Sequence, residues 1–191
     1  DANSGDVTDA MPLLDGQGDG LLVWVQDFAG KARLFASVYH AGDAGFTPPQ
    51  LIDAGGENTS ADGVGGFDAA LDAAGNAIIA FFENPAAPAL SEAFGVFYDK
   101  SAGTFSAPEK VDLYHTAGHT VSRVRALGGP AGLGYVLTLQ DADGGPGTVI
   151  HCSVSRFSSE SSLSAFNAVT RVNPPGYDDD VADFCGVVLP D

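Results

Sequence analysis

The chain repeats itself, and that repetition restricts the fold more than any other feature. Asp15-Gly16-Gln17-Gly18-Asp19-Gly20 is followed by the apolar run Leu21-Leu22-Val23-Trp24-Val25-Gln26. The same punctuation returns as Asp72-Ala73-Ala74-Gly75-Asn76-Ala77 before Ile78-Ile79-Ala80-Phe81-Phe82-Glu83. It returns more weakly as Gly128-Gly129-Pro130-Ala131-Gly132 before Leu133-Gly134-Tyr135-Val136-Leu137-Thr138-Leu139. Gly18 and Gly75 lie 57 positions apart, and aligning Gly75 with Ala131 gives 56. A second element keeps step downstream. It reads Phe46-Thr47-Pro48-Pro49, then Phe105-Ser106-Ala107-Pro108, then Phe166-Asn167-Ala168-Val169, with Phe spacings of 59 and 61. Two elements held in step over three copies define a structural unit rather than a chance match.

Each unit reads as strands. The Asp-x-x-Gly clusters are hairpin turns, because Gly and Asn tolerate positive φ. The flanking apolar runs of about five to seven residues are rich in β-branched and aromatic side chains. A third run follows, at Leu34–Tyr39, Phe94–Tyr98 and Val149–Val154, and the Phe-containing element then leads into a short fourth strand. This order predicts a four-stranded antiparallel meander of about 45 residues plus insertions, the size of a propeller blade. The units run over about 9–53, 66–113 and 121–173. Composition agrees. Asp outnumbers Glu by 20 to 5, Lys occurs three times, and there are 25 Gly and 11 Pro. Such a chain is rich in turn formers and poor in residues that cover exposed helices.

These units resemble the repeats of sialidase-like (bacterial neuraminidase repeat) β-propellers of large secreted bacterial proteins. The resemblance rests on Asp-x-x-Gly-Asn-Ala, an aliphatic-aromatic strand, a Tyr strand, and Gly-x-Phe-Ser-x-Pro. Residues 72–112 match best, 15–53 match well, and the third copy matches only in its second half. The strict sialidase box, Ser-x-Asp-x-Gly-x-Thr-Trp, does not occur. The resemblance implies a fold and not an activity. The tail 181–191 is similar to the strand that precedes each turn, so it is expected to begin a fourth blade. Known propellers have at least four blades, so further blades or a protein partner are expected to complete the ring and cover its edges. The expected fold is all-β: about three four-stranded antiparallel propeller-type blades plus one strand, in a single incomplete domain. The alternative is a β-sandwich of about 12 strands.

Charge narrows the partners. Eight Lys+Arg against 25 Asp+Glu give a net charge of −17. Such a surface repels phosphate backbones, which argues against nucleic-acid binding. No apolar run reaches the roughly 18 residues that would mark a helical membrane span. The chain starts at Asp1 and not at Met, so a processed, excised or incomplete chain is expected. Asn58-Thr59-Ser60 fits a glycosylation sequon. With the Asp-rich, Lys-poor composition, these features lead us to expect a secreted, periplasmic or cell-surface protein.

Several residues qualify as candidate sites. His115 and His119 have the i, i+4 spacing of a metal pair but lack the glutamate of a zincin motif, and the repeat places them in a loop. Tyr177 with Asp178, Asp179 and Asp180 forms the densest acidic cluster, whose hard oxygens suit calcium, the one cofactor expected here. Asp141 and Asp143 echo a calcium loop without its bidentate Glu. Cys152 and Cys185 fall on strands of neighbouring units and form a candidate disulfide in an exported chain, or two buried thiols. Trp24, Phe81, Phe82 and Tyr135 are expected between blades. Sialidases clamp a carboxylate with three arginines, yet no arginine recurs at a matching place in each unit. Arg123 and Arg125 share one strand face. The expected function is therefore a non-catalytic module that binds a protein partner or glycan. The loops expected to do so are 27–32, 84–91 and 140–147, with 54–66, 114–120 and 173–183. The alternative is a fragment of a sialidase-like glycoside hydrolase.

Overall fold

The computed structural model describes residues 5–53, 63–83, 91–112, 120–141, 150–158, 165–166 and 170–171. They form an all-β fold of three antiparallel sheets. The first sheet joins β1 (Val7–Leu14), β2 (Gly20–Phe28), β3 (Lys31–Tyr39) and β4 (Gln50–Leu51) in sequence order. In the second, β5 (Val64–Leu71), β6 (Ala77–Glu83) and β7 (Glu92–Asp99) are followed by β8 (Thr104–Phe105) and β9 (Glu109–Lys110), both on β7. The third repeats this with β10 (Val121–Gly128), β11 (Leu133–Asp141), β12 (Ile150–Ser158), β13 (Ala165–Phe166) and β14 (Thr170–Arg171). No closed ring forms among the described residues.

The repeat is tighter than the sequence reading had it. The opening strand of each sheet carries a bulge, between Val7 and Asp9, Val64 and Gly66, and Val121 and Arg123. The turn after it carries a positive-φ glycine, at Gly18, Gly75 and Gly132. Both features recur every 57 residues, so Gly75 aligns with Gly132 and not with Ala131. The alignment to Ala131 was one residue out of step. In a strand that slip moves every side chain to the opposite face. The corrected register also matches Val7, Val64 and Val121, and then Gln26, Glu83 and Gln140.

The short fourth strands are explained by the Phe-Thr/Ser-x-Pro element. Thr47 donates its backbone N–H to the Val38 carbonyl (2.7 Å), and its hydroxyl accepts the Val38 N–H (2.9 Å). Ser106 does the same with Phe97, at 2.8 and 3.0 Å. Pro48, Pro49 and Pro108 follow, and proline has no N–H to give a ladder. The strand is therefore pinned by one residue and then broken.

Packing makes the second sheet the middle layer. Leu21, Val23 and Val25 of β2 meet Ile79 and Phe81 of β6 in one cluster. Ile78 and Ala80 of β6 meet Val124, Ala126 and Val136 of the third sheet in another. Alternate residues of one strand thus serve two interfaces. The apolar run of β6 is accordingly buried on both faces, with Ile78, Ile79, Ala80 and Phe81 all at 0% exposure. Small residues let the layers close. A Cβ at Gly134 would strike the Ile78 side chain, and one at Gly128 would strike the Leu71 carbonyl oxygen.

Candidate functional site

The turns between first and second strands gather at one end of the stack and are linked there by polar contacts. Asp15 starts the first turn, and its Oδ1 accepts the N–H groups of Gln17 (2.8 Å) and Asp19 (3.0 Å). Asp72 does the same for Ala74 (2.8 Å) and Asn76 (2.9 Å). This is the Asx-turn chemistry that the recurring Asp supplies. The third turn has Gly129 in that place, and Asp72 compensates across the layers by accepting the Gly132 N–H at 2.6 Å. Lys100, after β7, reaches back to the first sheet. Its Nζ donates to Asp15 (2.6 Å) and Gln17 (3.0 Å) and lies 2.7 Å from Asp19.

The Lys100 hydrogen bonds hold the Asp15 and Asp19 carboxyls below the usual carboxylate range. Asp15 first, and then Asp19, raise the Lys100 ammonium in return. Asp99 is lowered by the Ser101 hydroxyl and the turn N–H groups. A cleft of about 480 Å³ lies alongside, lined by Gln17, Ala74, Asn76, Lys100, Ser101 and Gly132. Many of its polar groups serve the turns: Asn76 Oδ1 accepts the Lys100 N–H (3.0 Å) and Gln17 Oε1 accepts from the Lys100 ammonium (3.0 Å). Beneath it the Tyr98 hydroxyl is buried with no hydrogen-bond partner, and burial pushes its pKa up.

The opposite end is stapled by the Asp that closes each of the first two units. Asp53 forms a two-pronged pair with Arg33 at 2.7 Å and accepts the Leu34 N–H at 3.0 Å. Asp112 accepts the Ala93 N–H (3.3 Å) and the Gln140 amide (3.3 Å). The Arg33 guanidinium is held further toward its charged form by Asp53.

Of the candidate residues, Asp141 is described: it ends β11, is buried, and donates its N–H to the Thr120 carbonyl (2.9 Å). Asp141 is thus at a strand end, and the rest of that candidate loop, with Asp143, lies outside the described residues. His115, His119, Asp143, Tyr177, Asp178, Asp179, Asp180 and Cys185 lie outside the described residues, as do 54–62, with the sequon, 84–90, 113–119, 142–149 and 172–191, where the other loops and the fourth-blade strand were expected. Cys152 is on β12 opposite Leu139 in backbone register. Among the described residues, no group of three or more His, Cys, Asp or Glu side chains is placed to hold a metal ion. Residues 27–32 are not a loop. β2 and β3 continue to Phe28 and Lys31 around the two-residue turn Ala29-Gly30, both at positive φ. Phe81 and Phe82 lie between sheets as expected. Trp24 and Tyr135 instead lie on the outward faces of the first and third sheets, since Val23, Val25 and Val136 take the inward positions.

Sequence reasoning missed the outward face of the first sheet. Trp24 stacks on Phe35 (5.7 Å), Phe28 meets Phe35 edge-on (6.1 Å), and Tyr39 lies against Phe46 (5.6 Å). Every large apolar residue that is exposed among the described residues belongs to this sheet or to its β3–β4 connection: Val7, Leu14, Phe28, Phe46 and Leu51, at 41–72%. Leu51 pairs with Phe35, Leu14 with Gly20, and Val7 with Gln26, which puts them on the same outward face. The signal was present as even-numbered apolar residues in β2, but only the correct register assigns them a side.

No protein-family profile matches the sequence, and no curated protein matches it.

Proposed function

We propose that this chain is a non-catalytic extracytoplasmic recognition or assembly module, built as an arc of propeller-type blades like those of sialidase-like repeats. The observation that carries the reading is the outward face of the first sheet. Exposed apolar side chains gathered on one sheet face mark an interaction surface rather than a finished exterior. The carboxylates that recur with the repeat support it, because Asp15, Asp53, Asp72 and Asp112 all serve as staples. The strongly acidic surface suits an exposed secreted, periplasmic or cell-surface setting. A glycan would be taken at the polar rim, and calcium at 178–180.

The test is isolation of the native particle carrying this chain, with its mass and the identity of every co-purifying chain. The reading expects a particle well above 19.4 kDa. A 19.4 kDa monomer that cleaves a sialoside would overturn it in favour of a hydrolase.

A further inference from the structure

We infer that the first sheet's outward face is covered by a second copy of this chain, docked head to tail through the outward face of that copy's third sheet. This rests on the assembly reading above and names its partner. The argument is the repeat itself. Two interfaces inside the molecule use the same pair of faces. One partner presents the positions of Leu21, Val23 and Val25; these recur as Ile78, Ala80 and Phe82. The other presents the positions of Leu22 and Trp24; these recur as Ile79 and Phe81. The first sheet's Leu22 and Trp24 side is therefore the receiving half of a third such interface. The matching positions recur in this chain at Tyr135 and Leu137, both half-buried, and at Leu139, which is already 2% exposed.

The aromatic pair makes the comparison direct. Tyr98 and Phe105 lie 4.8 Å apart within the first–second interface, and Tyr98 is only 3% exposed. Tyr39 and Phe46 are the same pair one repeat earlier, and there Phe46 is 54% exposed. Phe166, one repeat later, packs on the face of the preceding sheet, where its ring would touch a Cβ at Gly95. Each such Phe reaches toward a preceding sheet, and Phe46 reaches toward a position that no described residue fills. Head-to-tail contacts close only when the rotation fits. Two copies bring six sheets together, within the four to eight blades of known propellers.

Analytical ultracentrifugation of the full chain tests this. Wild type should sediment at twice 19.4 kDa, and the association should strengthen with added salt, because two chains of net charge −17 repel. Leu51→Asp and Leu137→Asp should each weaken association by at least about thirtyfold, as for a central interface residue. Phe46→Asp repeats the first result from an exposed site that folding does not need. Circular dichroism checks that each variant keeps its strands. Mixing Leu51→Asp with Leu137→Asp leaves one intact interface and should restore a mixed pair. Loss with Leu51→Asp but not with Leu137→Asp overturns the head-to-tail geometry in favour of like-to-like packing. A folded wild-type monomer at about 100 µM, far above typical dissociation constants of stable complexes, overturns the second copy. If the native particle then holds a different chain, the assembly reading still stands; if it is also a monomer, both fail.

Discussion

At the scale of single residues, the molecule uses its acidic side chains mainly as backbone anchors. Asp53 is the clearest case, buried against Arg33 and the Leu34 N–H. Asp53→Ala leaves the guanidinium without its partner in a half-buried site and should cost about 3 kcal/mol in urea unfolding. Tyr98 is the opposite case. Its buried hydroxyl makes no bond, so Tyr98→Phe should raise stability by about 1 kcal/mol. A comparable loss would show that a bound water satisfies the hydroxyl. The Lys100 clamp has a defined pH window. Asp15 and Asp19 are lowered below 3.8, so their contribution is complete above that value and is lost as pH falls through the depressed values. Lys100 is raised above 10.5, so its contribution is complete below that value and is lost as pH rises through the raised one. The melting-temperature deficit of Lys100→Met should therefore stay level between pH 3.8 and 10.5 and shrink as pH falls through the depressed carboxyl values or rises through the raised ammonium one. The clamp lies at the surface, so the deficit should be small and reduced by salt.

At the scale of elements, turn chemistry and period were legible in the sequence, and the first three strands of each unit followed from them; the expected single fourth strand holds for the first sheet, whereas the second and third carry two short strands there. The Phe-Thr/Ser-x-Pro element was visible as a recurrence, but its hydrogen-bonding role with Val38 and Phe97 was not. What failed was register in the third unit. There Gly129 replaces the Asp that marks the first two turns, so nearby small residues offered two alignments. Only Val121 and Gln140, matching Val64 and Glu83, separate them. The tight Ala29-Gly30 turn was also missed, because Ala at positive φ carries no sequence signature. Layer contact predicts an asymmetric response to one added methyl group. Gly128→Ala should cost about 3 kcal/mol, since its Cβ would strike the Leu71 backbone. Gly16→Ala, where nothing lies within 4 Å of the added Cβ, should leave the melting temperature nearly unchanged.

At the scale of the whole molecule, three equivalent sheets stack in order, and the middle one is buried on both faces. The sequence did not signal this, because the apolar runs Leu21–Val25 and Ile78–Phe82 read alike. Which outer face needs cover follows only from knowing which alternate residues point inward. The candidate clusters at 115–119 and 177–180 gave no comparable signal, because their residue types alone fix no geometry. Hydrogen–deuterium exchange of the full chain at low and high protein concentration tests the account most directly. It predicts slowest exchange in β6 and β7 at both concentrations, with β1, the Ala29-Gly30 turn and β4 gaining protection only at the higher one. Exchange in β6 as fast as in β1, or an outer sheet indifferent to concentration, would contradict the stacked, self-covering assembly.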